Sequence, residues 1–421
     1  MLPEDLNVRG DLELRTFRGV FSLLTRDVFI RLLGLVGSVV LARKLSPSTF
    51  GLFAVGYFAI GTFGIFSELG LGAAFIRQSR DPDKHDLDAL FTFQLVVVCL
   101  LALVMVVLAP LLAGIYHLAE LEWLVRALAL SLVLSGLRTV PIVIAERKLT
   151  YGPVALSDMG GQIAYWGVAI TMATLGFGIW SLATAVIASS AVGTVVLFLR
   201  TSWRPSLQFH WGPIWIASRF GVLYQSQSAI AFVKDSAIPA FGGLAYGSAA
   251  VGYLTWSSQL ALVPMALVHL VSRVSYSSFS RLQDHAERFD RLVELSAGWT
   301  FKVTFPALAV VAGLAPQIIV IVYGSKWIAA LPSLYLLLVN MALGVGTTVL
   351  LPTIYSVGRA RAGLQISIVW TAVTWAGSII LHAVGMDFEG LALAAVLGTA
   401  TALTLIVKEL QRFSRFSLTS V

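Results

Sequence analysis

Cysteine is nearly missing from this chain. Its only copy, Cys99, lies inside an apolar run, so no disulfide and no cysteine-built metal site can form within one chain. Charge is scarce as well: 12% of the residues are Asp, Glu, Lys or Arg, against 57% hydrophobic, and the mean hydropathy is +0.85. That leaves too few polar side chains to cover a water-soluble protein, which excludes the ordinary soluble classes and places the chain in a bilayer. Hydrolytic and nucleotide-binding signatures are also absent: there is no G-x-x-x-x-G-K-[ST], G-x-G-x-x-G, H-E-x-x-H or G-x-S-x-G. The chain is therefore read as no enzyme, with no cofactor and no ATPase of its own. A cleavable leader is missing from the reading too. The start, MLPEDLNVRGDLELRTFR, mixes charges and shows no A-x-A-like site, so the first span is expected to direct insertion.

What is present is a series of apolar runs. The length, 421 residues, suits about a dozen helices of roughly 20 residues each. We place them near 19–42, 50–70, 88–112, 121–144, 153–175, 177–199, 214–241, 250–271, 297–315, 330–352, 362–384 and 389–408. Only helices fit, because an open strand in lipid leaves backbone groups unpaired.

The net charge of +7 points to topology rather than to nucleic acid. Basic residues gather in alternate loops: Arg9, Arg15 and Arg18, then Arg77, Arg80 and Lys84, then Arg147 and Lys148, and so on to Lys408, Arg412 and Arg415. The other set of loops offers only Arg43, Lys44 and Lys326. Positive residues stay on the cytoplasmic side, which puts both termini there. The longest cytoplasmic loop, 275–296, sets Phe279, Leu282, Phe289, Leu292 and Leu295 among charges and predicts an amphipathic interfacial helix. Trp123, Trp166, Trp180 and Trp327 are expected as interface anchors.

Two stretches follow one plan. Residues 41–80 align with 242–281, so that Gly51 meets Gly252, Leu69 meets Leu270, and Ser79-Arg80 meets Ser280-Arg281. Each closes a helix, makes a Gly-containing turn, and runs through a second helix into a basic loop. With six spans per half, the halves enter the membrane in the same direction, a parallel repeat. We expect an N-terminal six-helix lobe over 1–205 and a C-terminal one over 206–421, joined by the polar linker TSWRPSLQFH.

Charges inside spans are the informative residues. Span 1 holds Arg26, Asp27 and Arg31, which fall within about 140° of a helical wheel together with Gly34, Gly37 and Ser38. That sector is expected to face an internal cavity, since charge at a lipid-exposed centre is costly. The plainer alternative is an Asp27–Arg31 pair that fixes packing. On span 7, Tyr224, Gln227, Ser228, Lys234 and Asp235 gather within about 120°, lining a cleft or, for the last two, lying near the outer interface. Glu68 and His269 coincide in the repeat. They are either boundary polar groups or an ion-coupling site. Arg126 is expected either to snorkel or to meet Glu122 one turn away, and the G-x-x-x-G of 243–247 is weak evidence of a packing face.

The segments LSPSTFGLFAVGYFAIGTFGIFSELGLGAAFIRQ, IAERKLTYGPVALSD, GFGIWSLATA, FSRLQDHAERFDRLVE and IVYGSKWIAALPSLYLLL, in that order, resemble bacterial oligosaccharide flippases of the Wzx type. These form the polysaccharide transporter branch of the multidrug/oligosaccharidyl-lipid/polysaccharide exporter superfamily. The resemblance implies an all-α, two-lobed, V-shaped bundle in the bacterial inner membrane that flips an undecaprenyl-diphosphate-linked glycan to the outer leaflet by alternating access. It implies a polysaccharide polymerase and a chain-length regulator as partners. The step FVKDSAI departs from that family's Asn/Asp-rich break in span 7, and many relatives have fourteen spans where twelve are read here. Guanidinium holds a diphosphate bidentately, which makes Arg26 and Arg31, oriented by Asp27, the expected diphosphate site. Tyr224, Gln227 and Ser228 are the expected sugar partners.

Three other functions compete. A cation-coupled multidrug exporter of the same superfamily predicts isolated carboxylates where span 1 carries arginines. A membrane polymerase or ligase predicts a large outer loop, and the outer loops here are short. A non-transporting scaffold leaves the intramembrane charges without a use.

Overall fold

The computed structural model describes residues 29–68, 70–78, 80–209, 212–265, 286–356 and 358–412, and every regular element among them is helical. In chain order these are α1 (29–44), α2 (Pro47–Glu68), α3 (Leu71–Arg77), α4 (Lys84–Tyr116), α5 (Ala119–Gly136), α6 (Thr139–Arg147), α7 (Gly152–Thr174) and α8 (Ile179–Arg200). Then come α9 (Gly212–Asp235), a π-helix (Ala237–Gly242), α10 (Gly243–Leu262) and α11 (Ala286–Gln317). A second π-helix (Ile318–Tyr323) and a 3-10 turn (Ser325–Ala330) lead to α12 (Leu331–Ser356), α13 (Ala360–Ala383) and α14 (Glu389–Leu410). Among the described residues each expected span falls on a helix, the first over 29–44 only and the eighth over 250–262 only. Among the described residues, 8 helical stretches are long and apolar enough to cross a membrane. This is a multi-pass membrane protein of all-α fold.

The chain divides into two compact units: Met1–Leu45 with Val55–Ala229, and Ser46–Ala54 with Ile230–Val421. In the first, Leu71, Phe75, Leu90, Phe91, Val140, Val143 and Trp203 form a buried cluster. Exposed apolar residues on α4 recur at Val96, Leu100, Leu103, Val107 and Leu111, the spacing of one helical face turned to hydrocarbon. The α4 start is fixed by a capping box: the Asp83 carboxylate accepts from the Asp86 backbone N–H at 2.8 Å, and the Asp86 carboxylate accepts from the Asp83 N–H at 3.2 Å. Such reciprocal caps satisfy amides that the first turn leaves open.

Two polar devices shape the ends of this unit. Asp88, 1% exposed, accepts from Trp203 Nε1 at 3.1 Å, from the Ser206 amide at 3.3 Å and from Ser206 Oγ at 2.7 Å. The Gln208 amide donates to Thr92 Oγ1 at 2.8 Å. The polar linker is thereby strapped along the first turns of α4. Arg147 closes the end of α3, donating to the carbonyls of Phe75 at 2.6 Å and Gln78 at 2.9 Å and to Asp81 Oδ1 at 2.6 Å. A guanidinium supplies enough donors to serve all the carbonyls a helix end leaves open.

In the second unit, α14 packs on both α12 and α13 around Leu350, Ile354, Ile366, Ala402, Ile406 and Leu410. Trp327 differs from its expected place as an interface anchor. It is fully buried, stacked on Trp256 with ring centres 5.0 Å apart and met edge-on by Phe50 at 5.4 Å. Its indole pairs with aromatic rings, a better exchange than the interface when such partners converge. Trp166 in the first unit is also no anchor: its ring lies where a Cβ on Gly37 would stand, and its Nε1 is buried. Trp123 and Trp180 are exposed, at 61% and 39%.

Local breaks follow composition. Gly247 adopts φ 78° and ψ 179° inside α10, a region open to glycine alone. The G-x-x-x-G stretch is therefore no continuous helical face. From Ala286 the expected interfacial helix is the beginning of α11, with no proline before Pro306 to separate them. Phe279 and Leu282 lie outside the described residues.

Candidate functional site

Proline sets the geometry of the best-defined polar site. Pro239 has no N–H to give to the preceding turn, which breaks a straight α-helix. Span 7 therefore ends its α-helix at Asp235, turns at Ser236 and continues as the π-helix Ala237–Gly242. Widened turns of this kind recur at functional sites. At the break, Lys234 Nζ lies 2.7 Å from Asp235 Oδ1 and 4.4 Å above the ring of Trp370. One residue earlier, the Val233 carbonyl accepts from Trp375 Nε1 at 2.7 Å. The Lys234 side chain is 22% exposed and that of Asp235 is 70% exposed.

These contacts fix a depth. Trp370 and Trp375 bracket the middle of α13, a 24-residue membrane span. Lys234 and Asp235 are thus level with the centre of that span. A charge offered to lipid there costs about 2.5–3.5 kcal/mol on the insertion scale. The ammonium offsets this by pairing with Asp235 and by resting on an aromatic face. The carboxylate, open as it is, needs water or a polar ligand.

The remaining candidates are less gathered. Arg26, Asp27 and His269 lie outside the described residues. Arg31 is on α1 and exposed. Gly37, on the far edge of the same sector, packs under Trp166, so only part of that sector is left to polar groups. Glu68 ends α2, and Tyr224 and Gln227 lie on α9. The side chains of these three are outside the description. Ser228 is exposed on α9. Only Lys234 and Asp235 are seen together among the expected residues.

Sequence reasoning passed over a second intramembrane pair. Arg138, at the break between α5 and α6, donates to Asp158 Oδ1 at 2.7 Å and to Ser157 Oγ at 3.0 Å, while Ser157 Oγ donates to the Gly193 carbonyl at 2.6 Å. It lies so close to Gly193 that a Cβ there would stand 3.3 Å from Nη1. The signal was a lone arginine at the end of one apolar run and a lone aspartate at the start of the next. Arg126 does pair with Glu122, at 2.7 Å, and lies over Trp123. Trp370 and Trp375 carried no signal in one dimension.

A cavity of about 270 Å³ opens between α2, α4 and α5, lined by Val55, Phe58, Phe63, Leu108, Leu111 and Val125 among others. It offers no charged group. No cluster of three His, Cys, Asp or Glu that could hold a metal occurs among the described residues.

Comparison with known proteins places these features in a family. The model of a family described as polysaccharide biosynthesis protein matches residues 40–332. The chain is 24% identical over 321 residues to the succinoglycan biosynthesis transport protein ExoT of Rhizobium meliloti (strain 1021), covering 76% of this chain and 65% of that protein. It is 25% identical over 336 residues to the lipopolysaccharide biosynthesis protein WzxC of Escherichia coli (strain K12), covering 77% and 66%. The matched stretch thus spans about two thirds of the length of these two relatives. Among solved structures, the lipid II flippase MurJ in an inward closed conformation superposes with a TM-score of 0.78 over 95% of this chain and 89% of that one, at 15% identity. That likeness shows the fold alone.

Proposed function

The chain belongs to the polysaccharide biosynthesis protein family, and from that membership we propose that it is a flippase for an undecaprenyl-diphosphate-linked oligosaccharide. The family match over residues 40–332 of a multi-pass helical protein carries this reading. The cargo moves from the cytoplasmic to the outer leaflet of a bacterial plasma membrane by alternating access, with both termini in the cytoplasm. Two six-helix lobes, 1–205 and 206–421, do the work. No bond of the cargo is made or broken and no cofactor is used. A polysaccharide polymerase and a chain-length regulator act next to it.

In this reading Arg26 and Arg31 grip the diphosphate and Asp27 orients them. Guanidinium suits this because it offers parallel donors to phosphate oxygens and stays charged in a membrane. Tyr224, Gln227, Ser228, Lys234 and Asp235 face the sugars, and Glu68 with His269 couples transport to an ion. The polyprenyl tail stays in lipid, consistent with the apolar faces that α4 exposes. Multidrug export is disfavoured because a cationic drug would meet arginine on span 1.

Deletion of the gene tests the reading. Lipid-linked repeat units should accumulate in the inner leaflet and surface glycan should vanish. A deletion strain with no second flippase and normal glycan would refute it. Within the protein, Arg31→Ala should lower glycan export at an unchanged protein level; a fall in protein level alone would assign Arg31 to packing.

A further inference from the structure

The exposed partner at the span 7 break is the carboxylate, not the ammonium. Lys234 is covered on one side by Asp235 and on another by Trp370, whereas Asp235 is 70% exposed at the middle depth of α13. Trp370 in turn rests against α14: a Cβ on Gly398 would stand 3.1 Å from its Cδ1. Behind it lies the apolar cluster of Ile354, Ile366, Ala402 and Ile406. The order from core to surface is therefore aliphatic core, indole, ammonium, carboxylate.

Resting on the flippase reading, we propose that Asp235 is a hydrogen-bond acceptor for the hydroxyls of the glycan, facing a water-filled space at mid-membrane, and that Trp370 is a positioning residue acting through Lys234. A carboxylate has two oxygens and about four acceptor sites. Lys234 takes one oxygen, and the other is left for donors such as sugar hydroxyls, whose hydrogen bonds to an ionised acceptor are shorter and stronger than neutral ones. The ammonium, 2.7 Å from Oδ1, offsets part of the cost of carrying the carboxylate at this depth. The indole face replaces part of the water the ammonium loses. This arrangement selects neutral or amino sugars at this point and repels acidic ones, since a second carboxylate opposite Asp235 meets like charge.

Two measurements test this. In a Cys99→Ala background of the full chain in membranes, Asp235→Cys should react readily with a membrane-impermeant, charged methanethiosulfonate. Ile368→Cys is the control: it is 50% exposed, at the same depth as Trp370 and about 200° around the helix from it, and should stay unlabelled. An Asp235→Cys as inert as Ile368→Cys overturns the proposal. In the second, variants complement the deletion strain at matched protein level. Asp235→Ala should cut glycan export about tenfold, while Asp235→Asn, which keeps an acceptor, should stay within about threefold of wild type, each tenfold being about 1.4 kcal/mol. An Asn variant as dead as Ala points to a proton carrier and overturns the sugar role. Trp370→Leu should lower export several-fold and alter the labelling rate at 235, and Trp370→Phe should restore both; loss of both in Trp370→Phe overturns the positioning role. Wild-type rescue together with a fully active Asp235→Ala overturns this inference alone, whereas a deletion strain that keeps its glycan overturns the flippase reading instead.

Discussion

Gly51 and Gly252 press backbone to backbone within the second compact unit, and neither has room for a side chain. A Cβ on Gly51 would fall on the Ser248 carbonyl oxygen, and one on Gly252 would fall on the Pro47 carbonyl oxygen. Gly51 aligns with Gly252 in the sequence repeat, and at the same offset Pro47 aligns with Ser248. Each contact is thus the counterpart of the other, the reciprocity that a twofold relation produces. Gly51 on α2, facing Ser248 and Gly252 four apart on α10, lets the backbones approach, as at close helix crossings in membranes. The repeat that begins as an alignment of hydropathy reappears as a physical contact.

Substitution at either glycine should therefore cost the same. Gly51→Ala and Gly252→Ala are each expected to destabilise the purified protein by about 1–3 kcal/mol, because the obstacle is backbone rather than a side chain that can rotate away. The double variant should lose less than the sum, since the first change already opens the contact. Thermal unfolding in detergent reads this directly. Gly51→Ala with a wild-type melting temperature would show that the approach is not close.

The strap at Asp88 makes a separate prediction. Asp88→Ala leaves the Trp203 indole and the Ser206 donors without their buried acceptor, at an expected cost of about 3 kcal/mol. Asp88→Asn keeps an acceptor oxygen and should fall between. Limited chymotrypsin digestion supplies the second readout, because Trp203 sits in the strap and donates its indole N–H to Asp88 at 3.1 Å. Cleavage there should quicken in Asp88→Ala and leave the wild type slow.

Acid should loosen the start of α4. The Asp83 carboxyl is held below its ordinary value, first by the Asp86 backbone N–H and then by the nearby Arg80 charge, against a partial opposing effect of desolvation. A carboxyl depressed in the folded state stabilises above the unfolded value of about 3.9 and loses that contribution as pH falls through the folded value. Hydrogen exchange at the Asp86 amide should thus stay slow through neutral and mildly acid pH and quicken only in stronger acid. In Asp83→Ala it should be fast already at pH 7, and equal protection in the two proteins would exclude the cap.

Cys99 offers a test of how α4 lies in the bilayer. It is exposed and flanked by the apolar face of Leu100 and Leu103. A lipid-soluble maleimide should label it in native membranes, and an impermeant charged reagent should not. Rapid labelling by the charged reagent would place this face in water.

How much was readable in advance depends on how local each property is. A membrane helix satisfies its own backbone, so hydropathy alone placed the helices seen among the described residues, and loop charge alone argued their direction. Caps and breaks were partly legible: Pro239 and Gly247 mark where span 7 and the helix after it change course, because the lost N–H and the positive φ belong to single residues. The partners of side chains were not. Trp327, a tryptophan next to a loop lysine, looks like an interface anchor until Trp256 and Phe50 close over it. Arg138 and Asp158 stand in different runs and become a pair only when α7 packs beside the α5–α6 break.

By itself, then, the sequence determined that the chain is a helical, multi-pass membrane protein, since both follow from composition and short-range periodicity. Only the tertiary structure decided that Gly51 and Gly252 meet backbone to backbone, and that Lys234 and Asp235 lie beside the middle of α13. Depth and contact are set by neighbours from distant helices, here Trp370 and Trp375 on α13, and no local pattern encodes which helix arrives.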